Sequence, residues 1–450
     1  MAALTTTIER FASRKAVIGV IGLGYVGLTI ATALAEAGFR VVGVDIKADR
    51  VAAINAGHCP LDGDEPELPA LVSKVTGSKH LVAVTSYVPL GEADVVLIAV
   101  ETPVPDDHQP RFESLRAACT DLGRVMKDGV LVIIESTVAP GTTEQVVKPL
   151  LEETSGKTLD EGFYLGHCPE RVMPGRLLRN LRELARVCGG ASLETAQAMA
   201  ALYATVVRGR IDVSDCVTAE IVKTAENAYR DVKIAFANEL GLICEKAGSD
   251  VRRVRELLHD SGGGDLLLAG AGVGGHCIPK DPWLLVSGAA GFEPRLIPAA
   301  RAINLSMPLH MAGLVESALA EAGVALAGAR VAVLGFAYLQ NTGDTRNSPS
   351  DSIIAHLREK HADVVVHDPW VADHVGDLWE CVAGAHAVVI MVSHDAYLEL
   401  DLERLARTMR APVLVDGRHV VETEDAERAG FFFRGLGRGR VNKPSRSSLR

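Results

Sequence analysis

The chain has 450 residues, too many for one hydrophobic core, and should divide into two or three domains. With 48% hydrophobic and 23% charged residues it has a soluble globular composition, and its net charge of −11 argues against a general nucleic-acid binder. No apolar run approaches the roughly 20 residues of a membrane span, and the N-terminus lacks a signal peptide. We therefore expect a cytoplasmic protein with no membrane partner. The eight cysteines are scattered without a CxxC pair, which predicts reduced thiols and no metal site.

The first part of the chain alternates strands with helices. Apolar runs predict strands at KAVIGVI and RVVGVD, and again at 94–100 and 130–135, with an apolar helix that ends near Gly38. Because this alternation produces a parallel sheet covered by helices, we predict a doubly wound domain over 1–212.

After residue 212 the sequence changes from alternating strands and helices to a continuous helical pattern. Residues 213–259 contain no proline, and apolar side chains recur at intervals of three and four. This pattern predicts one long helix or two, followed by further helix at 299–321. We predict a central helical domain over 213–322, and a homodimer or higher homo-oligomer that covers the apolar surface of residues 213–258.

Strands and helices alternate again after residue 322. Strands are predicted at ARVAVLGFAY, DVVVHD, AVVIMV and APVLVD, with a helix from about Ser350. The predicted fold class is α/β: two Rossmann-like doubly wound parallel-sheet domains, 1–212 and 323–435, joined by a central helical domain with one long helix. The basic, polar residues 436–450 are predicted to form a disordered tail.

The loop after the first strand carries a dinucleotide-binding pattern. Gly22, Gly24 and Gly27 form G-x-G-x-x-G between a strand and a helix whose N-terminus favours a pyrophosphate. Asp45 closes the second strand, where an acid that binds the ribose hydroxyls is expected. Its carboxylate repels a 2′-phosphate, so the predicted cofactor is NAD, although Lys47 and Arg50 nearby favour NADP.

The segment GVGGHCIPKDP, residues 272–282, places one cysteine after three glycines and a histidine. Glycines permit close backbone approach to a ligand, and a thiol beside a cation is partly thiolate, the nucleophilic form. In a chain with a dinucleotide loop, Cys277 is therefore a candidate for covalent capture of an aldehyde. An arbitrary cysteine in such a turn is more often a buried structural thiol.

Six blocks in this order resemble the UDP-glucose/GDP-mannose dehydrogenase family over about residues 15–430. They are GLGYVGLTIA at 22–31, ESTVAPGTT at 135–143, CPERVMPG at 168–175, AEIVKTAEN at 219–227, GGHCIPKDP at 274–282 and NTGDTRNSP at 341–349. The resemblance implies a four-electron oxidation that turns the C6 alcohol of a nucleotide sugar into a carboxylate with two NAD molecules.

The resemblance also implies the roles of the catalytic residues. Cys277 is the nucleophile that forms a thiohemiacetal and then a thioester. Lys223 and Asn227, four apart on one helix, stabilise oxyanion charge, although their spacing alone is equally typical of a solvated helix face. Glu170 assists the water that hydrolyses the thioester, and Asp281 orders water near the thiol.

Further residues are implied to bind the two ligands. The expected cofactor-binding residues, besides Asp45, are Gly22, Gly24, Tyr25, Val26, Gly27, Thr102 with Pro103, Thr137 and Lys280. Thr137 is also expected to place the catalytic water, and Lys280 to pair with Asp281. The expected substrate-binding residues are Glu170, Arg171, Lys223, Asn227, Gly274, Gly275 and Arg346; arginine suits bidentate contact with phosphate or carboxylate.

The residues around the cysteine predict the sugar. Family members for UDP-glucose resemble GGSCFPKD, whereas enzymes for N-acetylated UDP-sugars resemble GGHCIPxDP. His276, Ile278 and Pro282 agree with the N-acetyl type, while Lys280 is shared with the glucose type. We expect UDP-N-acetylmannosamine or UDP-N-acetylglucosamine as substrate, with UDP-glucose as the alternative.

The chain departs from the family pattern at two places. Leu339 and Gln340 stand in the loop where the family usually has a phosphate-binding lysine. The stretch before the nucleophile, DSGGGDLLLAGAG, lacks an arginine that the family donates to the neighbouring subunit. Both losses put the substrate assignment in doubt but leave the catalytic residues in place.

Two other functions are compatible with parts of the sequence. A β-hydroxyacid dehydrogenase shares the N-terminal domain and a helical lysine and asparagine, but it explains neither Cys277 nor the second α/β domain. A non-catalytic sugar-nucleotide sensor would explain the two missing cations, but it does not explain Cys277, Lys223, Asn227 and Glu170 together.

Overall fold

Residues 2–61, 65–171, 175–262 and 264–439 are described by the computed structural model. The chain divides into two units: the N-terminal unit, Met1–Glu226 with Trp283–Glu293, and the C-terminal unit, Asn227–Pro282 with Pro294–Arg450. The predicted central segment 213–322 is thus shared between the two units.

The N-terminal unit is built on an eight-stranded sheet with the order β3-β2-β1-β4-β5-β6-β7-β8. All neighbouring strands pair in parallel except β6 and β7, which pair antiparallel. The strands are β1 Val17–Ile21, β2 Arg40–Val44, β3 Leu81–Val84, β4 Val95–Ile98, β5 Val130–Ile134, β6 Phe163–His167, β7 Arg186–Gly190 and β8 Ile211–Asp215.

Helices connect these strands and cover both faces of the sheet. They are α1 Ala2–Ala12, α2 Tyr25–Glu36, α3 Ala48–Asn55, α4 Leu68–Gly77, α5 Glu113–Gly123, α6 Lys148–Ser155, α7 Leu177–Glu183 and α8 Leu193–Tyr203, with a 3-10 turn at Val88–Glu92 and a π turn at Thr143–Val147. Every residue of β5 is buried, as expected for a parallel strand covered on both faces. The apolar clusters on the two faces form the core of this unit.

The central helices are α9 Cys216–Ala247, α10 Val251–Asp260, α11 Cys277–Ser287 and α12 Leu296–Glu321. The predicted helical run at 213–259 therefore forms two helices. Gly248 has a φ of 75°, which ends α9, and the Asp250 carboxylate accepts the Arg252 amide at 2.8 Å and caps α10. Residues 211–215, at the predicted domain boundary, form β8 of the large sheet.

The C-terminal unit contains a parallel five-stranded sheet with the order β10-β9-β11-β12-β13. Its strands are β9 Arg330–Leu334, β10 Asp363–His367, β11 Ala387–Ile390, β12 Val413–Asp416 and β13 Phe432–Gly435, and its helices are α13 Pro349–Glu359, α14 Leu378–Val382, α15 Asp395–Leu398, α16 Leu402–Thr408 and α17 Thr423–Arg428. The fold class predicted from the sequence is confirmed.

The first residues of the predicted disordered tail are ordered. Leu436 is fully buried, Gly437 donates to the Glu245 carboxylate at 2.7 Å, and Arg438 donates to the Val421 carbonyl at 2.7 Å. Residues 436–439 therefore pack within the C-terminal unit. The rest of the predicted tail, 440–450, lies outside the described residues.

Candidate active site

Predicted functional residues of the N-terminal unit follow the carboxyl ends of neighbouring parallel strands. Gly22 follows β1, Asp45 follows β2, Thr102 follows β4, Thr137 follows β5 and Glu170 follows β6. The strand order reverses between β1 and β4, and ligands of doubly wound sheets bind in the crevice at such a reversal. The topology thus brings these five residues to one edge of the sheet.

The glycine loop after β1 has the geometry of a dinucleotide-binding turn. Gly22 has a φ of 87°, and a Cβ built on Gly27 would overlap the Gly22 carbonyl oxygen. A Cβ on Gly24 would meet no atom of the described residues within 4 Å, so a pyrophosphate has room to approach. Tyr25 and Val26 form the first turn of α2, whose free amides favour an anion. These residues fit NAD.

Asp45 is 5% exposed, and its carboxylate is bonded to three nearby donors. Its carboxylate accepts the amides of Leu23 and Lys47, each at 2.9 Å, and pairs with Arg50 at 2.9 Å. Burial opposes ionisation, but these three donors outweigh it and lower the pKa of Asp45. The carboxylate therefore ties the glycine loop to β2 and neutralises Arg50, the residue that in the sequence favoured NADP.

The loops after β4 and β5 are joined by a hydrogen bond between two predicted residues. Thr102 Oγ1 donates to the Thr137 carbonyl oxygen at 2.6 Å. The loop that contains Thr137 is also anchored to α9, because the buried Glu220 carboxylate accepts the amide of Thr143 at 2.8 Å and its hydroxyl at 2.6 Å. Glu220 was missed from the sequence, since an acid inside a helix has no distinctive spacing.

Glu170 is 5% exposed and has a charged partner that the sequence analysis missed. Its Oε1 accepts the Arg171 amide at 2.6 Å, and its Oε2 pairs with Arg186, which opens β7. An arginine at the start of the apolar strand RVCGG was the only sequence feature that could have indicated this buried pair. Arg171, predicted to bind substrate, donates to the Ala185 carbonyl at 2.9 Å and lies 3.2 Å from Glu226.

Lys223 and Asn227 lie one turn apart on α9, and both side chains are half-buried. Lys223 belongs to the N-terminal unit and Asn227 to the C-terminal unit. Within the C-terminal unit, Asn227 Nδ2 donates to Asp281 Oδ2 at 2.6 Å. Asp281 is 1% exposed, and its other carboxylate oxygen lies 3.2 Å from Lys280 Nζ. The structure thus brings together three of the predicted residues.

Cys277 is exposed and is the first residue of α11, with Lys280 and Asp281 in the next turn. The N-terminus of a helix favours negative charge because its first amides have no carbonyl partners. A thiol at this position is well placed to react as a thiolate. Of the eight cysteines, Cys277 is the exposed one; the other seven are buried or half-buried.

The glycines before Cys277 are closely packed on the side where a Cβ would lie. A Cβ on Gly274 would lie 2.6 Å from the Tyr338 Cβ and 2.7 Å from the Asn347 carbonyl oxygen, and one on Gly275 would lie 2.8 Å from the Tyr338 ring. The Gly275 amide also donates to the Arg346 carbonyl at 2.8 Å. The turn that leads to Cys277 is therefore packed against the loop after β9.

Arg346 lies in that loop and forms an ion pair with Asp344, two residues before it in the sequence. Its guanidinium forms a bidentate pair with Asp344, with Nε to Oδ1 at 2.9 Å and Nη2 to Oδ2 at 2.5 Å. Leu339, in the position of the missing lysine, is 51% exposed, and Gln340 Nε2 donates to Asp395 at 2.9 Å.

Two Rossmann-like sheets, a dinucleotide loop and a cysteine at a helix start define the class as an NAD-dependent dehydrogenase. Three domain models of one family match the chain: its NAD binding domain at residues 16–207, its central domain at 217–306 and its UDP binding domain at 332–423. The chain belongs to the UDP-glucose/GDP-mannose dehydrogenase family. It is an NAD-dependent nucleotide-sugar dehydrogenase that acts on a UDP-sugar.

Three relatives show how far the similarity extends. A UDP-N-acetyl-D-mannosamine dehydrogenase from Pyrococcus horikoshii is 39% identical over 94% of this chain and 100% of its own, and its solved structure superposes with a TM-score of 0.88. An NDP-N-acetyl-D-galactosaminuronic acid dehydrogenase from Ralstonia nicotianae is 36% identical over 89% of this chain and 95% of its own. The structure of a UDP-glucose dehydrogenase from Pyrobaculum islandicum matches at 30% identity, with 94% and 98% coverage and a TM-score of 0.82.

The family assignment removes the β-hydroxyacid dehydrogenase alternative, because the segment after residue 325 matches a UDP binding domain. The predicted cofactor, NAD, agrees with the N-terminal family model. In the part of the chain that the structure describes, no helix is both long and apolar enough to cross a membrane.

Proposed function

We propose that this enzyme oxidises the C6 hydroxyl of UDP-N-acetylmannosamine or UDP-N-acetylglucosamine to a carboxylate through a thioester on Cys277. The balanced reaction converts R–CH2OH, two NAD+ and one water into R–COO−, two NADH and three protons. The observation that carries the proposal is the exposed Cys277 thiol at the first residue of α11, within the segment GGHCIPKDP.

The choice of sugar is supported by the residues beside the nucleophile and by the names of relatives. His276, Ile278 and Pro282 follow the N-acetyl type of the motif, and the relatives from P. horikoshii and R. nicotianae are named for N-acetylated sugars. UDP-glucose is the second candidate, favoured by Lys280 and by the similarity to the P. islandicum enzyme.

Cys277 performs the covalent part of the reaction. The alcohol first loses a hydride and a proton to become an aldehyde, and the Cys277 thiolate then adds to the aldehyde carbon. Loss of a second hydride from the thiohemiacetal leaves a thioester on the sulfur. The loop Gly22–Gly27, with Thr102 and Thr137 at the neighbouring strand ends, would hold NAD+, which would supply the hydride acceptor for both oxidations.

Lys223 and Asn227 stabilise the negative charge that develops on the substrate oxygen. Lys223 carries a positive charge, and the Asn227 amide has a second N–H beyond the one that Asp281 accepts. Donors already held in place stabilise an oxyanion without reorganisation. Asp281 therefore acts through Asn227 as well as through the water that it orders.

Glu170 completes the reaction as the base for hydrolysis. The water oxygen bonds to the acyl carbon, the carbon–sulfur bond breaks, sulfur leaves as the Cys277 thiolate, and one water proton passes to Glu170. Arg346, together with the turn at Gly274 and Gly275, is assigned to the nucleotide side of the substrate, and Arg171 and Lys280 contribute through the neighbours that they hold.

We also propose a homodimer or a higher homo-oligomer formed through α9. Ile221, Tyr229, Phe236 and Ile243 recur every seven or eight residues and are 41%, 67%, 59% and 57% exposed. Such a spacing places large apolar side chains along one side of a helix. A contiguous exposed apolar stripe of this kind is typical of an interface.

The test is NADH production with UDP-N-acetylmannosamine, UDP-N-acetylglucosamine and UDP-glucose in separate reactions, for the wild type and for Cys277→Ser. We expect two NADH per N-acetylated sugar, and a loss of this stoichiometry in the variant. Cys381→Ser is the matched control, because Cys381 is a half-buried thiol on α14, and it should behave as the wild type.

Each other result would change one part of the proposal. Turnover with UDP-glucose alone would retain the thioester route and replace the sugar. Full activity of Cys277→Ser would remove the covalent route. Absence of NADH with all three sugars would contradict the proposed substrates. It would favour an effect of the missing cation at Leu339 or a non-catalytic sensor of sugar nucleotides.

A further inference from the structure

Glu170 belongs to a cluster of buried polar side chains between β5, β6, β7 and α8. Arg186 is the single cation among them, and its side chain is 3% exposed. The other members, besides Glu170, are Glu135, Cys168, Cys188 and Tyr203, all of them buried. A buried charge is costly unless it is paired. Which of the neighbouring side chains are stabilised therefore depends on which of them Arg186 contacts.

Arg186 contacts both carboxylates but not equally. Its Nη2 pairs directly with Glu170 Oε2, whereas its Nη1 lies 3.5 Å from Glu135 Oε2 and 3.7 Å from Cys168 Sγ. The guanidinium carbon also lies 5.0 Å from the centre of the Tyr203 ring. Of the two carboxylates, Glu170 accepts a hydrogen bond from Arg186, whereas Glu135 contacts it only as an ion pair.

Glu135 has a different hydrogen-bond partner, and burial favours its neutral form. Tyr203 donates its hydroxyl hydrogen to Glu135 Oε1. Burial raises the pKa of Glu135 well above its usual range, and Arg186 offsets this only in part. Glu170, by contrast, is the carboxylate that accepts a hydrogen bond from Arg186.

We propose that Arg186 is a positioning residue that holds the Glu170 carboxylate in one orientation for thioester hydrolysis. Arg186 holds Oε2, and the Arg171 amide holds Oε1 at 2.6 Å. Each carboxylate oxygen can accept two hydrogen bonds, so both keep capacity for the attacking water. Arginine suits this role because it does not lose its proton in a buried site and its planar fork fixes direction.

This inference rests on the proposed role of Glu170, and the experiment separates the two. The variants are Arg186→Lys, Glu170→Gln and the double variant, assayed with UDP-N-acetylmannosamine or whichever of the three sugars is turned over. The readouts are kcat, KM and the fraction of Cys277 that carries an acyl group, measured by intact-protein mass spectrometry after rapid quench.

We expect Arg186→Lys to lower kcat by roughly tenfold to a hundredfold with KM nearly unchanged, because only the hydrolysis step loses its oriented base. The acyl-enzyme should accumulate, because hydrolysis is the step that consumes it. In the Glu170→Gln background, Arg186→Lys should change kcat by less than about twofold, since residues that act through one group are not additive.

Glu135→Gln is the matched control, because it is isosteric, faces the same guanidinium and mimics a neutral Glu135. It should leave kcat and acyl-enzyme levels at wild-type values, and it remains informative if Arg186→Lys does not fold. Accumulation of acyl-enzyme in Glu135→Gln, or equal losses from Arg186→Lys in both backgrounds, would overturn the inference. If Glu170→Gln itself accumulates no acyl-enzyme, the proposed role of Glu170 fails first.

Discussion

The side chains of Asn227 and Asp281 are joined by a hydrogen bond of 2.6 Å, although 54 residues separate them in sequence. The bond connects α9 with the helix that begins at Cys277, and Asp281 is almost completely buried. A buried carboxylate that accepts an amide hydrogen fixes the amide's orientation. The remaining N–H of Asn227 therefore has a fixed orientation before any substrate binds.

Replacement of Asp281 should therefore impair turnover more than binding. We expect Asp281→Ala to lower kcat by about a hundredfold, the typical effect of losing one oriented oxyanion donor, with a small change in KM. Steady-state NADH kinetics measure both constants. Asp265→Ala, at an exposed position before the cysteine segment, is the control. A kcat within about twofold of wild type would show that Asn227 needs no such support.

Asp45 should control the choice between NAD and NADP. Its carboxylate follows β2, where an acid that binds the ribose hydroxyls is expected, and it pairs with Arg50 at 2.9 Å. We expect Asp45→Ser to free Arg50 for a 2′-phosphate and to raise the ratio of kcat/KM for NADP over NAD by at least about tenfold. Asp49→Ser, a neighbouring acid in the first turn of α3, should leave the ratio unchanged. An unchanged ratio in both variants would mean that Arg50 does not reach the cofactor.

The packing around Gly274 predicts a loss of stability on the smallest substitution. In Gly274→Ala the new methyl group would lie 2.6 Å from the Tyr338 Cβ and 2.7 Å from a backbone oxygen. We expect a decrease of about 1–3 kcal/mol in the free energy of unfolding, measured by urea denaturation, with a loss of activity.

Gly313, within α12, is the matched control for Gly274. A Cβ there meets no described atom within 4 Å, so Gly313→Ala should raise stability by about 0.5–1 kcal/mol. Similar free energies for the two variants would contradict the packing argument.

The apolar stripe on α9 predicts the effect of a charge on assembly. Phe236→Glu places a carboxylate among the exposed side chains of Tyr229 and Ile243, and desolvating that charge in an interface is costly. We expect the variant to sediment as a smaller species than the wild type. Leu398→Glu, at a residue 53% exposed on α15, is the control and should not change the sedimentation coefficient. A monomeric wild type would refute the proposed oligomer.

The environment of Asp368 predicts how the stability of the C-terminal unit depends on pH. It accepts amides from Phe336 at 2.6 Å and Ala337 at 2.8 Å, and it pairs with His394 at 3.0 Å. Burial opposes ionisation, but these donors and the Trp370 amide lower the pKa of Asp368 to about 2. A depressed pKa stabilises the fold above the unfolded value near 4, and this contribution disappears as pH falls through about 2.

We expect Asp368→Asn to lower the free energy of unfolding by about 2 kcal/mol at pH 7, with the difference from wild type shrinking below pH 4. Urea denaturation at pH 7 and pH 3 measures it. Asp363→Asn removes an exposed ion pair with Arg330 and should have little effect at either pH. A difference independent of pH would show that the lost hydrogen bonds, and not the charge, are responsible.

Asp45 and Asp368 occupy equivalent places in the two sheets. Each follows the second strand of its sheet and accepts amides from the loop after the first strand, Leu23 in one case and Phe336 with Ala337 in the other. The repeated strand–loop–strand–acid pattern was visible in the sequence only for the first sheet, where the glycine fingerprint draws attention to it.

The sequence by itself determined the fold class, the two α/β domains, the dinucleotide loop and the candidate nucleophile. These features are local: period, glycine spacing and an acid at a strand end are set by residues close together in the chain. The tertiary structure decided which side chains support them. Arg186 lies beside Glu170 and Tyr338 covers Gly275 because strand order and loop packing bring distant residues together, and no spacing in the sequence encodes those contacts.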